Sequence, residues 1–272
     1  MSQITKVISE AKAVKRKLLI PYIVAGDPNI DISLLLMHQL VEDGADIIEL
    51  GVPFSDPSSD GPVIQKGVER ALKQSVSLLD VIGLVKQFRE KNNTTPVVLM
   101  GYLNPVEIMG YERFVKRASD AGVDGVLLVD MPPAESASLH SLLSAEGIDT
   151  IYLVAPTTTD ERARSIVKVT SGYLYYVSLK GVTGAALVDY ASVAENIGNL
   201  RGMTDLPIMV GFGIKDGESA VAMAEFADGV IIGSALVSEI AKLSEQEGNS
   251  EFPISQTTAM ISVVRDALDQ MS

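Results

Sequence analysis

Pro207-Ile208-Met209-Val210-Gly211-Phe212-Gly213, followed by Gly229-Val230-Ile231-Ile232-Gly233-Ser234, is the stretch on which the reading of the fold turns. Each half is a short apolar run with no polar residue inside it, ended by glycine. A surface strand alternates apolar and polar residues, whereas a parallel strand covered on both faces reads as a near-continuous run. Working outward, six further β-rich runs stand at 17–25, 47–52, 96–102, 125–130, 150–155 and 173–178, which with 207–211 and 229–232 makes eight. Helical patterns lie between them. Residues 31–43 place Ile32, Leu35, Leu36 and Leu40 at helical spacing, and 111–121, 134–146, 159–170 and 190–201 follow suit. Gly44, Gly122 and Gly147 sit where helix C-caps belong. An extra helix is expected at 78–90, between strands two and three, and a last one at 254–271 after a polar stretch. Eight units share the chain at ~34 residues each, and a βαβ unit needs about 30. This predicts a closed (β/α)₈ TIM barrel forming a single domain over residues 1–272. The alternative, an open doubly wound sheet, needs a Gly-rich fingerprint after strand one, which Gly26-Asp27-Pro28 does not match.

Composition narrows the chemistry. The chain has 272 residues, no Cys, no Trp and two histidines, His38 and His140, both on helical stretches. Thiol nucleophiles, disulfides and thiolate metal sites are excluded, and a His-rich metal centre is disfavoured. The ten methionines are scattered and read as core filler. The net charge of −13 argues against non-specific binding to nucleic acid or anionic lipid. A small anionic ligand remains possible, because helix N-termini and backbone N–H groups bind anions locally. No apolar run is long enough to span a bilayer and no secretory signal is seen, so the expected location is cytoplasmic.

A barrel builds its site at the C-terminal ends of its strands. There, Ile47-Ile48-Glu49-Leu50-Gly51 carries an acid inside an apolar run. Alternation puts Ile47, Glu49 and Gly51 on one face, Ile48 and Leu50 on the other. Glu49 is either a desolvated proton-transfer group at the barrel mouth or a buried carboxylate satisfied by backbone donors. Asp60 follows in a loop rich in Pro, Ser and Gly. It is either a site residue, or a turn Asp or the N-cap of the helix that starts near Pro62. Gly181-Val182-Thr183-Gly184, Gly211-Phe212-Gly213 and Gly233-Ser234 follow three consecutive strands. Their backbone N–H groups read together as a phosphate cup, with Ser234 capping a short helix from Ala235.

Pro21-Tyr22-Ile23-Val24-Ala25-Gly26-Asp27-Pro28, Glu49-Leu50-Gly51-Val52-Pro53-Phe54-Ser55-Asp56-Pro57, Asp60-Gly61-Pro62, Met100-Gly101-Tyr102 with Asn104-Pro105, Tyr175-Tyr176-Val177-Ser178 and the three glycine turns together resemble the tryptophan synthase alpha subunit family. The likeness runs from about residue 17 to 236 in order and spacing. It implies a lyase of L-tryptophan biosynthesis that cleaves indole-3-glycerol phosphate to indole and glyceraldehyde 3-phosphate by a retro-aldol reaction, with no metal or cofactor. On that resemblance Glu49 is the acid and base, and Asp60 accepts the indole N–H. Gly184, Gly213, Gly233 and Ser234 bind phosphate, and Tyr22, Tyr175 and Phe212 border the substrate. Met100 and Leu127 flank the indole, and Thr183 belongs to a loop that closes over substrate. The resemblance also implies a beta subunit partner, which carries pyridoxal phosphate, in an alpha2beta2 complex with indole channelling. Pro53, Asp56, Pro57, Asn104 and Pro105 would face it.

The sequence departs from the family at several positions. Ser58-Ser59 stands for an apolar Leu-Ala pair, Leu179-Lys180 for Arg-Thr, Val24 for Thr, Tyr22 for Phe and Met100 for Leu. Two of these changes fall in mobile loops of the family, so they bear on loop closure more than on chemistry. Two other readings stand beside the lyase: a non-catalytic subunit that binds and activates a partner, and another phosphate-binding barrel isomerase. Retention of both carboxylates argues against the first.

Overall fold

The computed structural model describes residues 2–177, 189–211, 213–245 and 254–271. Among these, nine strands pair in parallel throughout: β1 Leu18–Val24, β2 Ile48–Gly51, β3 Val97–Gly101, β4 Gly125–Leu128, β5 Asp149–Thr150, β6 Tyr152–Val154, β7 Leu174–Val177, β8 Ile208–Gly211 and β9 Gly229–Ile232. Their order is β5-β4-β3-β2-β1-β9-β8-β7-β6. The two ends of that order are neighbours in the chain. β5 pairs with β4 and β6 with β7, and only Ile151 stands between them, its N–H donating to the Val126 carbonyl at 2.9 Å. The expected fifth strand is therefore one extended segment that changes partner at Ile151, and the ring closes there with eight strand positions.

Two apolar layers explain the strand sequences. Inside the barrel, Leu18, Ile20, Ile47, Val98, Leu127, Ile151, Tyr173, Met209 and Ile231 form one cluster. Outside, Leu19, Ile23, Ile48, Leu50, Leu99, Ile208 and Val210 pack under the helices. Each strand supplies both layers, which is why its sequence is apolar without alternation.

The surrounding helices are α1 Gln3–Ala13, α2 Ile30–Glu42, α3 Pro62–Lys73, α4 Leu78–Arg89, α5 Leu103–Met109, α6 Tyr111–Ala121, α7 Ala137–Ala145, α8 Asp160–Val169, α9 Tyr190–Arg201, α10 Gly217–Ala224, α11 Ser234–Glu245 and α12 Ile254–Asp269. The extra helix expected between strands two and three is α4, and its N-terminus is a capping box of Ser77 and Asp80. Gly44, Gly122 and Gly147 all take positive φ at helix ends, as expected. α7 starts three residues later than the sequence suggests, because Glu135 and Ser136 are held in turns on the Pro132 and Pro133 carbonyls.

Three helices, α1, α5 and α10, have no counterpart in the sequence reading. α1 places Ile4, Ile8 and Ala11 in the interior cluster, closing the barrel at the N-terminal ends of its strands. At the same end, Arg265 of α12 donates to the Lys17 carbonyl at 2.9 Å and to Asp46 at 3.3 Å, and pairs with Asp269. No helix among the described residues is long and apolar enough to cross a membrane.

Candidate active site

At the opposite end of the barrel the strand termini surround a cavity of about 420 Å³, within the roughly 300–1,000 Å³ typical of small-molecule sites. Seven of the sequence-selected residues line it: Tyr22, Asp60, Met100, Tyr175, Gly213, Gly233 and Ser234. Its wall is otherwise mostly apolar, with Ile64, Val129, Leu153, Ile214 and Ile231.

Glu49 lies beneath this cavity. The inward face of β2 carries Ile47 and then Glu49, so the carboxyl enters the barrel interior and is fully buried. The Tyr173 hydroxyl donates to its Oε1 at 2.6 Å. Its Oε2 has no hydrogen-bond partner among the described residues. Of the two readings open for Glu49, the one satisfied by backbone donors does not hold among the described residues, where its single partner is a phenol. Burial raises its pKa to about 7, and the Tyr173 hydrogen bond only partly opposes that rise. Tyr22 and Tyr175 feel its charge and stand above it in the cavity wall. Burial first, then nearby carboxylates, pushes the phenols of Tyr22 and Tyr173 well up, so both remain hydrogen-bond donors.

Glycine makes room for two of these rings. A Cβ on Gly51 would lie 2.2 Å from the Tyr22 hydroxyl, and one on Gly211 would lie 2.2 Å from the Tyr175 hydroxyl. Each phenol rests over the end of the next strand, where only glycine leaves space for it.

Asp60 is not a helix cap. The N-cap of α3 is Gly61, with Pro62 at the first helical position and no side-chain cap bond. The Asp60 carboxyl instead accepts from the Tyr102 hydroxyl at 3.2 Å, and that hydroxyl accepts from the Ser59 N–H at 2.9 Å. Gln65 of α3 donates to the Asp60 carbonyl at 2.9 Å. Burial raises the Asp60 pKa to about 6, with Tyr102 opposing. α3 is itself anchored to the end of β1. Arg70 grips the buried Asp27 carboxylate through Nε and Nη2, both at 2.7 Å. Gly67 packs so close that a Cβ there would meet Asp27 at 3.0 Å.

On the other side of the cavity, Gly213 has φ +78° and Gly233 leads directly into α11. α11 begins at Ser234 rather than at Ala235, so Ser234 is its first helical residue and not its cap. The N–H groups of this first turn have no partner within the helix. Thr183, Gly184 and Phe212 lie outside the described residues. Leu127 is fully buried in the interior cluster and does not line the cavity; Val129, two residues further along the same face, does. Of the residues expected to face a partner, Asp56 and Asn104 are exposed, Pro57 and Pro105 half-buried and Pro53 buried. Tyr173, Tyr102, Lys215 and Ser238 were given no role from sequence, although Tyr102 stands in one of the quoted motifs. Alternation along β7 puts Tyr173 on the same face as Tyr175, and that was the available signal for it.

Among the described residues no cluster of His, Cys, Asp or Glu is arranged to hold a metal. The chemistry this site offers is proton transfer by one buried carboxyl, hydrogen-bond acceptance by a second, and anion binding by a helix start and glycine turns. The family model described as tryptophan synthase alpha chain matches residues 8–264. The tryptophan synthase alpha chain of Thioalkalivibrio sulfidiphilus is 54% identical over 269 residues, covering 99% of this chain and 100% of that one. That of Methylococcus capsulatus is 52% identical with the same coverage. The crystal structure of tryptophan synthase subunit alpha from Legionella pneumophila superposes with a TM-score of 0.91 at 44% identity, covering 99% of both chains. By full-length sequence and by fold alike, this chain belongs to the tryptophan synthase alpha chain family.

Proposed function

We propose that the cavity is where this chain cleaves indole-3-glycerol phosphate to indole and glyceraldehyde 3-phosphate, with Glu49 moving the protons and Asp60 holding the indole nitrogen. The observation that carries this reading is the pairing of two carboxyls. One is wholly buried with, among the described residues, a single phenol partner and an unpaired oxygen, and the other is loop-borne and lines the cavity. Different environments give them different roles, as acid–base pairs require.

The steps follow from that division. Glu49, protonated near neutrality, delivers its proton to indole C3 and thereby makes the ring a leaving group. The positive charge that develops is shared with the ring nitrogen, where the Asp60 carboxylate accepts the N–H. The Glu49 carboxylate then takes the proton of the adjacent glycerol hydroxyl. The O–H electrons form the aldehyde C=O, the C–C bond breaks, and its electrons restore the indole. Glu49 ends protonated, as it began. Because its carboxyl has no exposed surface in this structure, it must turn from Tyr173 toward the ligand to do this. Tyr22 and Tyr175 border the path, Met100 supplies apolar wall, and Gly213, Gly233 and Ser234 take the phosphate, joined by Gly184 from outside the described residues.

The chain acts with a beta subunit. The exposed Asp56 and Asn104 support a docking face beside the cavity, and Ile108 on α5 is 83% exposed. Pyridoxal phosphate belongs to that partner, this chain needs no cofactor of its own, and its place is the cytoplasm.

Purified chain is expected to release indole from indole-3-glycerol phosphate slowly alone and faster with the beta subunit. No indole under either condition overturns the proposal. The two raised pKa values also set a pH window. Asp60 must be ionised, so kcat/KM rises through about 6. Glu49 must start protonated, so kcat/KM falls as the pH passes about 7. Asp60→Asn is expected to be severe and to abolish the acid limb while leaving the alkaline one. An acid limb unchanged in that variant would remove Asp60 from the role.

A further inference from the structure

We propose that Lys215 is an anion-selecting residue of this cavity, meeting the phosphate end of the substrate with a full charge that the backbone cup lacks. The inference rests on the reading that the phosphate sits at Gly213, Gly233 and Ser234.

Lys215 follows the β8 turn and lines the same cavity as those three residues. Among the described residues it is the one Lys or Arg that does so; the other charged lining residue is Asp60. Its position is fixed from behind. The Lys215 N–H donates to Ser219 Oγ at 3.1 Å, just ahead of the α10 N-cap at Asp216. Its neighbour Asp216 is engaged elsewhere, accepting from the Ser219 N–H at 2.9 Å and the Ser219 hydroxyl at 2.6 Å. The nearest carboxylate in sequence is thus held in a capping box; it feels the Lys215 charge but forms no ion pair with it among the described residues, and Lys215 is exposed at the rim of the cavity it lines. Ser238, one turn along α11 from Ser234, lines the cavity on the same side as a further hydroxyl.

The charge balance of the whole chain gives this lysine its purpose. With 35 acidic against 22 basic residues, the protein repels an approaching dianion. Backbone N–H groups act only at contact, whereas a lysine acts across the cavity mouth and as a point charge on phosphate. It also discriminates, since a phosphate monoester gains more from it than a neutral or singly charged analogue does.

The test compares Lys215→Met, which keeps the stem, and Lys215→Arg with the unaltered chain. Steady-state cleavage of indole-3-glycerol phosphate is measured at low and high salt, alongside competitive inhibition by inorganic phosphate. In the Met variant KM and the inhibition constant for phosphate are each expected to rise about tenfold at low salt. The difference should shrink in high salt, kcat should change little, and Arg should restore most of the loss. Inhibition by indole, which carries no phosphate, is expected to be unchanged. Unaltered KM and phosphate inhibition in the Met variant overturn the proposal, as does a loss that is independent of salt and not rescued by Arg. If the unaltered chain releases no indole, the functional reading fails, and calorimetric binding of inorganic phosphate to the same variants still decides the role of Lys215.

Discussion

Glu49→Gln is expected to lower kcat for indole release by about a hundred- to ten-thousand-fold while leaving KM close to its original value. The amide keeps the shape of the carboxyl, and its oxygen still accepts the Tyr173 hydroxyl that now holds Oε1 at 2.6 Å. It cannot give a proton to C3 or take one from the glycerol hydroxyl. A residual rate within tenfold of normal would assign both transfers to another group. The same variant carries a stability signature. Burial raises the Glu49 pKa to about 7 in the folded chain, from the 4.5 of a solvated glutamate. The folded state therefore keeps a proton that the unfolded state releases, and stability falls as pH rises between those values. The penalty is absent below the unfolded pKa and complete above about 7, where it amounts to something of order 3 kcal/mol. Glu49→Gln removes it. The variant is expected to melt higher than the unaltered chain at pH 8 and close to it at pH 4, measured by thermal unfolding at both.

Asp27→Ala is expected to cost about 3–5 kcal/mol of folding stability, toward the lower end, read as a shift in the denaturant midpoint. The variant leaves the Arg70 guanidinium in a site where 20% of its side chain reaches solvent and its two 2.7 Å hydrogen bonds are gone. That small exposure lets Arg70 turn partly to water. Arg70→Met alone strands the opposite charge on a carboxylate with no exposed surface, and is expected to be at least as costly. The double variant should cost less than the two singles summed, because neither charge is then left unpaired. A loss under about 1 kcal/mol for Asp27→Ala would show that the pair is not what fastens α3 to β1.

The barrel was legible because each strand must satisfy two apolar layers. That requirement writes itself locally into runs such as Ile208-Met209-Val210. Glu49 was legible for the same reason, as an acid in a run where every neighbour is buried. The change of partner at Ile151 was not legible, since both segments are extended and only their neighbours differ. α1 was not legible either. Its three buried residues, Ile4, Ile8 and Ala11, sit among Lys, Glu and Ser, and the surface they cover is assembled from distant strands. The partners of the two carboxyls, Tyr173 and Tyr102, lie 124 and 42 residues from the acids they serve. Lys215 and Ser238 had no motif to mark them, because a single lysine or serine after a strand is ordinary surface until the cavity is seen.

The position of α1 has a consequence for how the chain is made. Ile4 and Ile8 dock onto a cluster that includes Met209 and Ile231, which are translated long after them. Until the last strands have been synthesised and the ring has closed, this helix has no finished surface to cover. Contacts this distant in sequence make folding slow, and they leave apolar surface open in the nascent chain. This helix is made well before the strands it covers and is among the last elements to find its native place, so the growing chain meets the cell with the floor of its barrel unsealed.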